Sequence, residues 1–253
     1  MDGLTFWALA VFAAFCVGLG KGGVPVITAL AVPLMSLVIS PILAAGLLLP
    51  VFLAADAGGL YAYRKTFNRD VLRILMVVMP IGVFIGWATS AYVPEAAVTL
   101  LIGVIGASFA VVTLTRRPVE GPAVAPRWNK GIFWGTITGF TSFVSHSGAT
   151  PYQVFTLPLR MDKITFAGTM TVAFAYINVV KLIPYYALGQ LGTENLKTAA
   201  IMMIPAGFGV VAGVYLVRII PEKLFFQVIL WALLGLSLKL IWDGVTALGA
   251  FII

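Results

Sequence analysis

The chain is poor in groups that titrate or ligate metals. It holds one cysteine, Cys16, and one histidine, His146, in 253 residues. A single cysteine excludes an intrachain disulfide and any cysteine cluster for a metal, and no metal ion or other cofactor is expected. Charged residues make up 10% of the chain, against about 25% in soluble domains. Asp56 is the only mid-run carboxylate apart from Asp243, and no second acid lies near it in sequence. Clustered carboxylates for a metal-dependent membrane enzyme are therefore missing. Ser145 and Ser147 flank His146, but immediate neighbours do not make a nucleophile–base dyad. No nucleotide-binding motif is present, so ATP-driven transport would need another subunit. The opening "MDGLTFW" lacks the basic n-region of a signal peptide, and the first apolar run is read as a retained part of the fold. No polar stretch is long enough for a separate soluble domain; the longest, "TRRPVEGPAVAPRWNK" at 115–130, is a proline-containing linker.

What is abundant is apolar: 61% of residues are hydrophobic and the mean hydropathy is +1.05. These values define an integral membrane protein whose constant partner is the lipid bilayer. The net charge of +7 lies in loops between apolar runs, where it orients the chain in the membrane; nucleic acid is not an expected partner. The runs cover 4–39, 42–63, 71–92, 96–114, 131–157, 164–188, 196–217 and 224–253. A spanning helix needs about 20 residues. The first run is too long for one span and is interrupted by "GLGKGGVP"; the fifth is interrupted by "TSFVSHSGATP". Each reads as two helices or half-helices meeting at a break.

A shift of 125 positions aligns Lys21 with His146, Gly23 with Gly148, Pro33 with Pro158, Tyr61 with Tyr186 and Pro80 with Pro205. Two homologous halves follow: a first transmembrane repeat at 1–115, a cytoplasmic linker at 116–130 and a second repeat at 131–253. Basic residues cluster at Arg64, Lys65, Arg69 and Arg73, at Arg116, Arg117, Arg127 and Lys130, at Arg160 and Lys163, and at Arg218 and Lys223. Placing these four loops in the cytoplasm makes the fifth run a hairpin that enters and leaves on the inside. The first run, by homology, enters and leaves on the outside. The expected fold is all-α, with two inverted-topology repeats, each a broken-helix hairpin plus three transmembrane helices, and both termini periplasmic. Inverted repeats with broken helices mark secondary transporters.

The breaks are where polar chemistry enters the apolar runs. Glycine-rich breaks can serve close packing alone. They can also present the amides and positive dipole of a following half-helix to an anion. Gly20, Lys21, Gly22 and Gly23 stand at the first break; Ser145, His146, Ser147, Gly148 and Thr150 stand at the second, with Gln153 just beyond. If the breaks face each other near the midplane, they make one pocket for a small, hard oxyanion. Lys21 would bind the anion, and His146 would bind it or carry a coupled proton, since imidazole titrates at about 6.5. Asp56 and Lys181 are repeat equivalents of opposite sign, and Asn178 shares the face of Lys181 one turn away. They are candidates for a coupling or gating set or for a structural salt bridge. Lys239 and Asp243, four apart, read as a local pair. Tyr61, Tyr63, Tyr185 and Tyr186 read as membrane-interface anchors.

At "GLGKGGVPVITALAVPL" and "GFTSFVSHSGATPYQVFTLPL" the chain resembles the sulfite exporter family TauE/SafE, essentially over its whole length. The resemblance implies an all-helical bacterial inner-membrane transporter that exports small sulfur-containing anions such as sulfite or organosulfonates. Its motif positions here are Gly18, Gly20, Lys21, Gly22, Gly23 and Pro25, then Ser145, His146, Ser147, Gly148 and Pro151. The second motif carries "SHSG" where many members have more glycine. Two functions fit the residues: a carrier working by alternating access, with protons as the coupling ion, and an anion channel lined by the same side chains.

Overall fold

The computed structural model describes residues 3–28, 30–39, 41–89, 92, 94–115, 122–144, 148–189 and 193–249. All regular structure among them is helical. The elements run α1 (Leu4–Lys21), α2 (Pro25–Thr28), α3 (Ala31–Ser36), α4 (Pro41–Tyr63), α5 (Arg69–Thr89), α6 (Glu95–Thr115), α7 (Trp128–Val144), α8 (Ala149–Thr156), a single 3-10 turn (Leu157–Leu159), α9 (Lys163–Ala187), α10 (Thr193–Ile219) and α11 (Glu222–Gly249). Seven of them (α1, α4, α5, α6, α9, α10 and α11) are long and apolar enough to cross a membrane. At about 1.5 Å per residue, even an 18-residue helix approaches the thickness of the hydrocarbon core. α7 is one residue shorter, at 17. The order of one long, two short and three long elements occurs twice along the chain.

The first break differs in form from two half-helices. α1 is a full 18 residues, and the segment beyond it consists of pieces of 4 and 6 residues. The reason is a helix stop. The Val24 N–H donates to Leu19 O (3.2 Å) and the Gly23 N–H to Gly20 O (3.1 Å), while Gly23 takes φ +114°. That is a Schellman C-cap, which needs a left-handed residue after the last turn, and glycine supplies it without a Cβ clash. Pro25, which has no amide proton to lose, opens α2. The feature at "GKGGVP" is thus chiefly the end of one helix.

The chain forms two compact units, 1–68 with 163–220, and 69–162 with 221–253. In the first, α1 packs on α10, and α4 packs on α10 and α9. Small residues let α1 and α10 touch backbone to backbone: a methyl on Gly18 would lie 2.0 Å from Ala206 O, and one on Gly22 2.5 Å from Val210 O. This is the small-residue packing by which membrane helices associate when apolar burial offers no advantage over lipid. Ala10, Ala13, Ala14, Val17, Leu47, Leu48, Val51, Ala55, Met202 and Ala206 fill the core behind it. In the second unit, α5 packs on α7, and α6 on α11 and α8. Gly139 meets Met79 O and Gly82 meets Thr136 O, each 2.0 Å from where a Cβ would be. Ile204, Phe208, Val211 and Tyr215 form an exposed apolar stripe along α10, and Trp231, Leu238 and Trp242 one along α11. Such stripes suit acyl chains.

Candidate functional site

Four polar side chains named from the sequence come together inside the first unit: Lys21, Asp56, Asn178 and Lys181, all buried. Lys21 is the last residue of α1, where the partial negative charge of the helix end favours a cation. Asp56 projects from α4, and Asn178 and Lys181 from α9. The Lys21 ammonium meets Asp56 Oδ1 at 2.7 Å, and Asn178 Nδ2 donates to Asp56 Oδ2 at 2.7 Å. Asp56 thus pairs with Lys21, across elements, a contact the repeat does not predict, since it relates Asp56 to Lys181. Lys181 lies one turn beyond Asn178, close enough for its charge to act on both Lys21 and Asp56. With all three ionised, the set carries one net positive charge inside an apolar unit.

Aromatic rings and hydroxyls complete the surroundings. The Lys21 ammonium lies 5.4 Å from the Phe52 ring centre and 5.9 Å from that of Phe174, within cation–π range. The carbonyls at the end of α1 have donors from neighbouring helices: Tyr63 Oη donates to Gly22 O at 2.6 Å and Thr171 Oγ1 to Lys21 O at 3.3 Å. Gly59 lets α4 pass this point, since a methyl there would lie 2.7 Å from Lys21 O. Tyr63 and Tyr185 are buried, in contrast to the interface role expected for them, whereas Tyr61 and Tyr186 are exposed. Tyr63 is turned inward because its hydroxyl satisfies the helix end.

These neighbours carry a signal that sequence reading missed. Phe52, Asp56, Gly59 and Tyr63 recur at helical spacing along α4; Thr171, Phe174, Asn178 and Lys181 do so along α9. Each set is one helix face.

Of the first-motif glycines, Gly22 is in contact with α10. Gly20 holds α2 close, since its Cβ would fall 1.5 Å from Thr28 Oγ1. Gly23 is the C-cap. In the second motif, Ser145, His146 and Ser147 lie outside the described residues. Gly148 packs on α7, 2.9 Å from Thr138 O at the Cβ position. Thr150 and Gln153 are buried on α8 in the second unit. Lys239 and Asp243 pair on the partly exposed face of α11.

No curated protein and no solved structure matches the chain. A family model does, over residues 6–240, and by it the chain belongs to the sulfite exporter TauE/SafE family, membrane transporters of sulfur anions, in keeping with its seven apolar helices.

Proposed function

We propose that the chain is a secondary transporter that exports a small sulfur-containing oxoanion, sulfite or an organosulfonate, across the bacterial inner membrane by alternating access, with Lys21, Asp56, Asn178 and Lys181 as its anion-responsive and coupling centre. The observation that carries this is the buried Lys21–Asp56 pair at 2.7 Å with Asn178 on the same carboxylate. Charged side chains within spans are costly and are retained where they move ions or protons. The arrangement supports a simple exchange. With Asp56 ionised, it occupies Lys21 and Asn178. A proton on Asp56, or an oxoanion competing with its carboxylate, releases the ammonium and the amide, both donors that an oxoanion accepts. Lys181 stands one turn beyond Asn178 beside this exchange.

The test is efflux from sulfite-loaded proteoliposomes. Lys21→Ala is expected to lower flux by about a hundredfold, two lost charge-assisted contacts at roughly tenfold each. Asp56→Asn is expected to leave flux but remove its response to an imposed proton gradient. Undiminished flux in Lys21→Ala overturns the site; an ohmic, non-saturating current overturns the carrier in favour of a channel.

A further inference from the structure

In the second unit, Thr150 Oγ1, Gln153 Oε1 and Ser237 Oγ are buried with no hydrogen-bond partner among the described residues. All three residues are no more than 2% exposed. Thr150 and Gln153 stand three apart on α8 and so share a face. Ser237 of α11 meets Thr150 at Gly106 of α6: a methyl there would lie 2.3 Å from Ser237 Oγ and 2.5 Å from Thr150 Cγ2.

The missing bonds are unusual for this unit. Thr138, Thr141 and Thr156 each donate to a carbonyl one turn back, at 2.7, 2.7 and 2.8 Å, the ordinary refuge of a hydroxyl in an apolar helix. Ser237 has the Leu233 carbonyl one turn behind it and leaves it alone. Thr150, in the first turn of α8, has no earlier carbonyl of its own helix. Buried polar atoms without partners are rare and call for one, an ordered water or a ligand. Gly106 keeps the α6 side of the cluster free of a side chain.

We propose that Thr150, Gln153 and Ser237 form an uncharged recognition site for a singly protonated sulfur oxoanion such as hydrogensulfite. This rests on the sulfur-oxoanion reading above and narrows its substrate. Each hydroxyl donates one O–H to an anion oxygen. Gln153 Oε1 can only accept, so it calls for a ligand that brings its own O–H. Hydrogensulfite has acceptor oxygens and that proton; an organosulfonate has the oxygens without the proton, and chloride has neither. The site therefore discriminates among anions that Lys21 and Lys181 attract alike.

The test compares sulfite and methanesulfonate efflux from proteoliposomes at one fixed pH, with the thermal melt of each variant alongside. Gln153→Leu is expected to raise the KM for sulfite about tenfold, the size of one lost hydrogen bond to a charged ligand, with little change in kcat and little change for methanesulfonate. Ser237→Ala is expected to raise KM for both anions with no fall in melting temperature. An unchanged sulfite-to-methanesulfonate ratio in Gln153→Leu, with sulfite flux intact, overturns this site and leaves the transport reading standing. If Gln153→Leu does not fold, Ser237→Ala decides: an unchanged KM for both anions overturns the site. Absence of flux for every sulfur oxoanion in the unaltered protein overturns both readings.

Discussion

The unit built from α1–α4, α9 and α10 buries two lysines and an aspartate and ties the aspartate to Lys21 and Asn178. The unit built from α5–α8 and α11 buries no charged side chain among the described residues, yet it leaves two hydroxyls and an amide oxygen without partners. A charge inside an apolar unit must be compensated within the protein, because the penalty for an unpaired ion is prohibitive. An unpaired hydroxyl is tolerable at a smaller cost and can wait for a ligand. On the proposed reading, charge and selectivity are met by different means in different units. The compensated charges can change partners; the uncompensated dipoles can only gain them.

The sharpest way to break this comparison is to remove one charge. Asp56→Ala leaves Lys21 without its carboxylate and is expected to cost about 3–5 kcal/mol of stability, read as a lowered melting temperature and a lower yield of monodisperse protein. Adding Lys21→Met to the same chain should recover most of that loss, because an apolar replacement for a buried pair is often neutral, while flux falls about a hundredfold, as in Lys21→Ala. A stable Asp56→Ala variant would show that the pair needs no compensation, and the contrast between units would fall. A control for packing comes next. Gly18→Val and Gly82→Val each drive a side chain into a backbone carbonyl of the facing helix, which a Cβ would approach to 2.0 Å, and each is expected to cost about 1–3 kcal/mol. Similar losses would locate the difference between units in their polar groups and not in their helix contacts. Smaller and opposite in sign, Ser237→Ala deletes a buried hydroxyl that lacks a partner and should stabilise the ligand-free protein by about 1 kcal/mol, as a raised melting temperature. Improved stability with poorer binding is the mark of a site held unsatisfied for function.

The long helices were readable because lipid demands about 20 apolar residues per crossing, and the runs at 42–63, 71–92, 96–114, 164–188, 196–217 and 224–253 lie over α4, α5, α6, α9, α10 and α11. The break at Gly22–Pro25 was legible in position and less so in kind. Glycine followed two residues later by proline, after a lysine in the last turn, is a stop signal, whereas the expectation favoured the start of the next helix. The contact of Asp56 with Lys21 was missed for a different reason. A repeat relates residues that occupy equivalent positions, and equivalence is not contact: α4 packs against both α1 and α9, so Asp56 reaches Lys21 and Asn178 together. Ser237 left no trace in the sequence. A lone serine in an apolar run ordinarily bonds to its own helix, and that it does not is a tertiary fact.

The smallest expected effect concerns the end of α1, where the compensated unit closes its own backbone. Tyr63 Oη donates to Gly22 O at 2.6 Å, one of the carbonyls that a helix end leaves without an internal donor. In an apolar setting that oxygen has no water to turn to. Tyr63→Phe keeps the ring and removes the donor, and is expected to cost about 1 kcal/mol. The loss should be local, appearing as faster amide exchange over residues 20–24 with little change at Asp56, since the Lys21–Asp56 pair does not use the phenol. Tyr61→Phe provides the comparison, because Tyr61 is 73% exposed and its loss should alter neither exchange nor melting. If Tyr63→Phe also lowers flux, the position of the Lys21 ammonium depends on the cap beneath it, and the charge set and the helix stop act as one device. If flux is unchanged, Asp56 and Asn178 alone suffice to hold Lys21 in place.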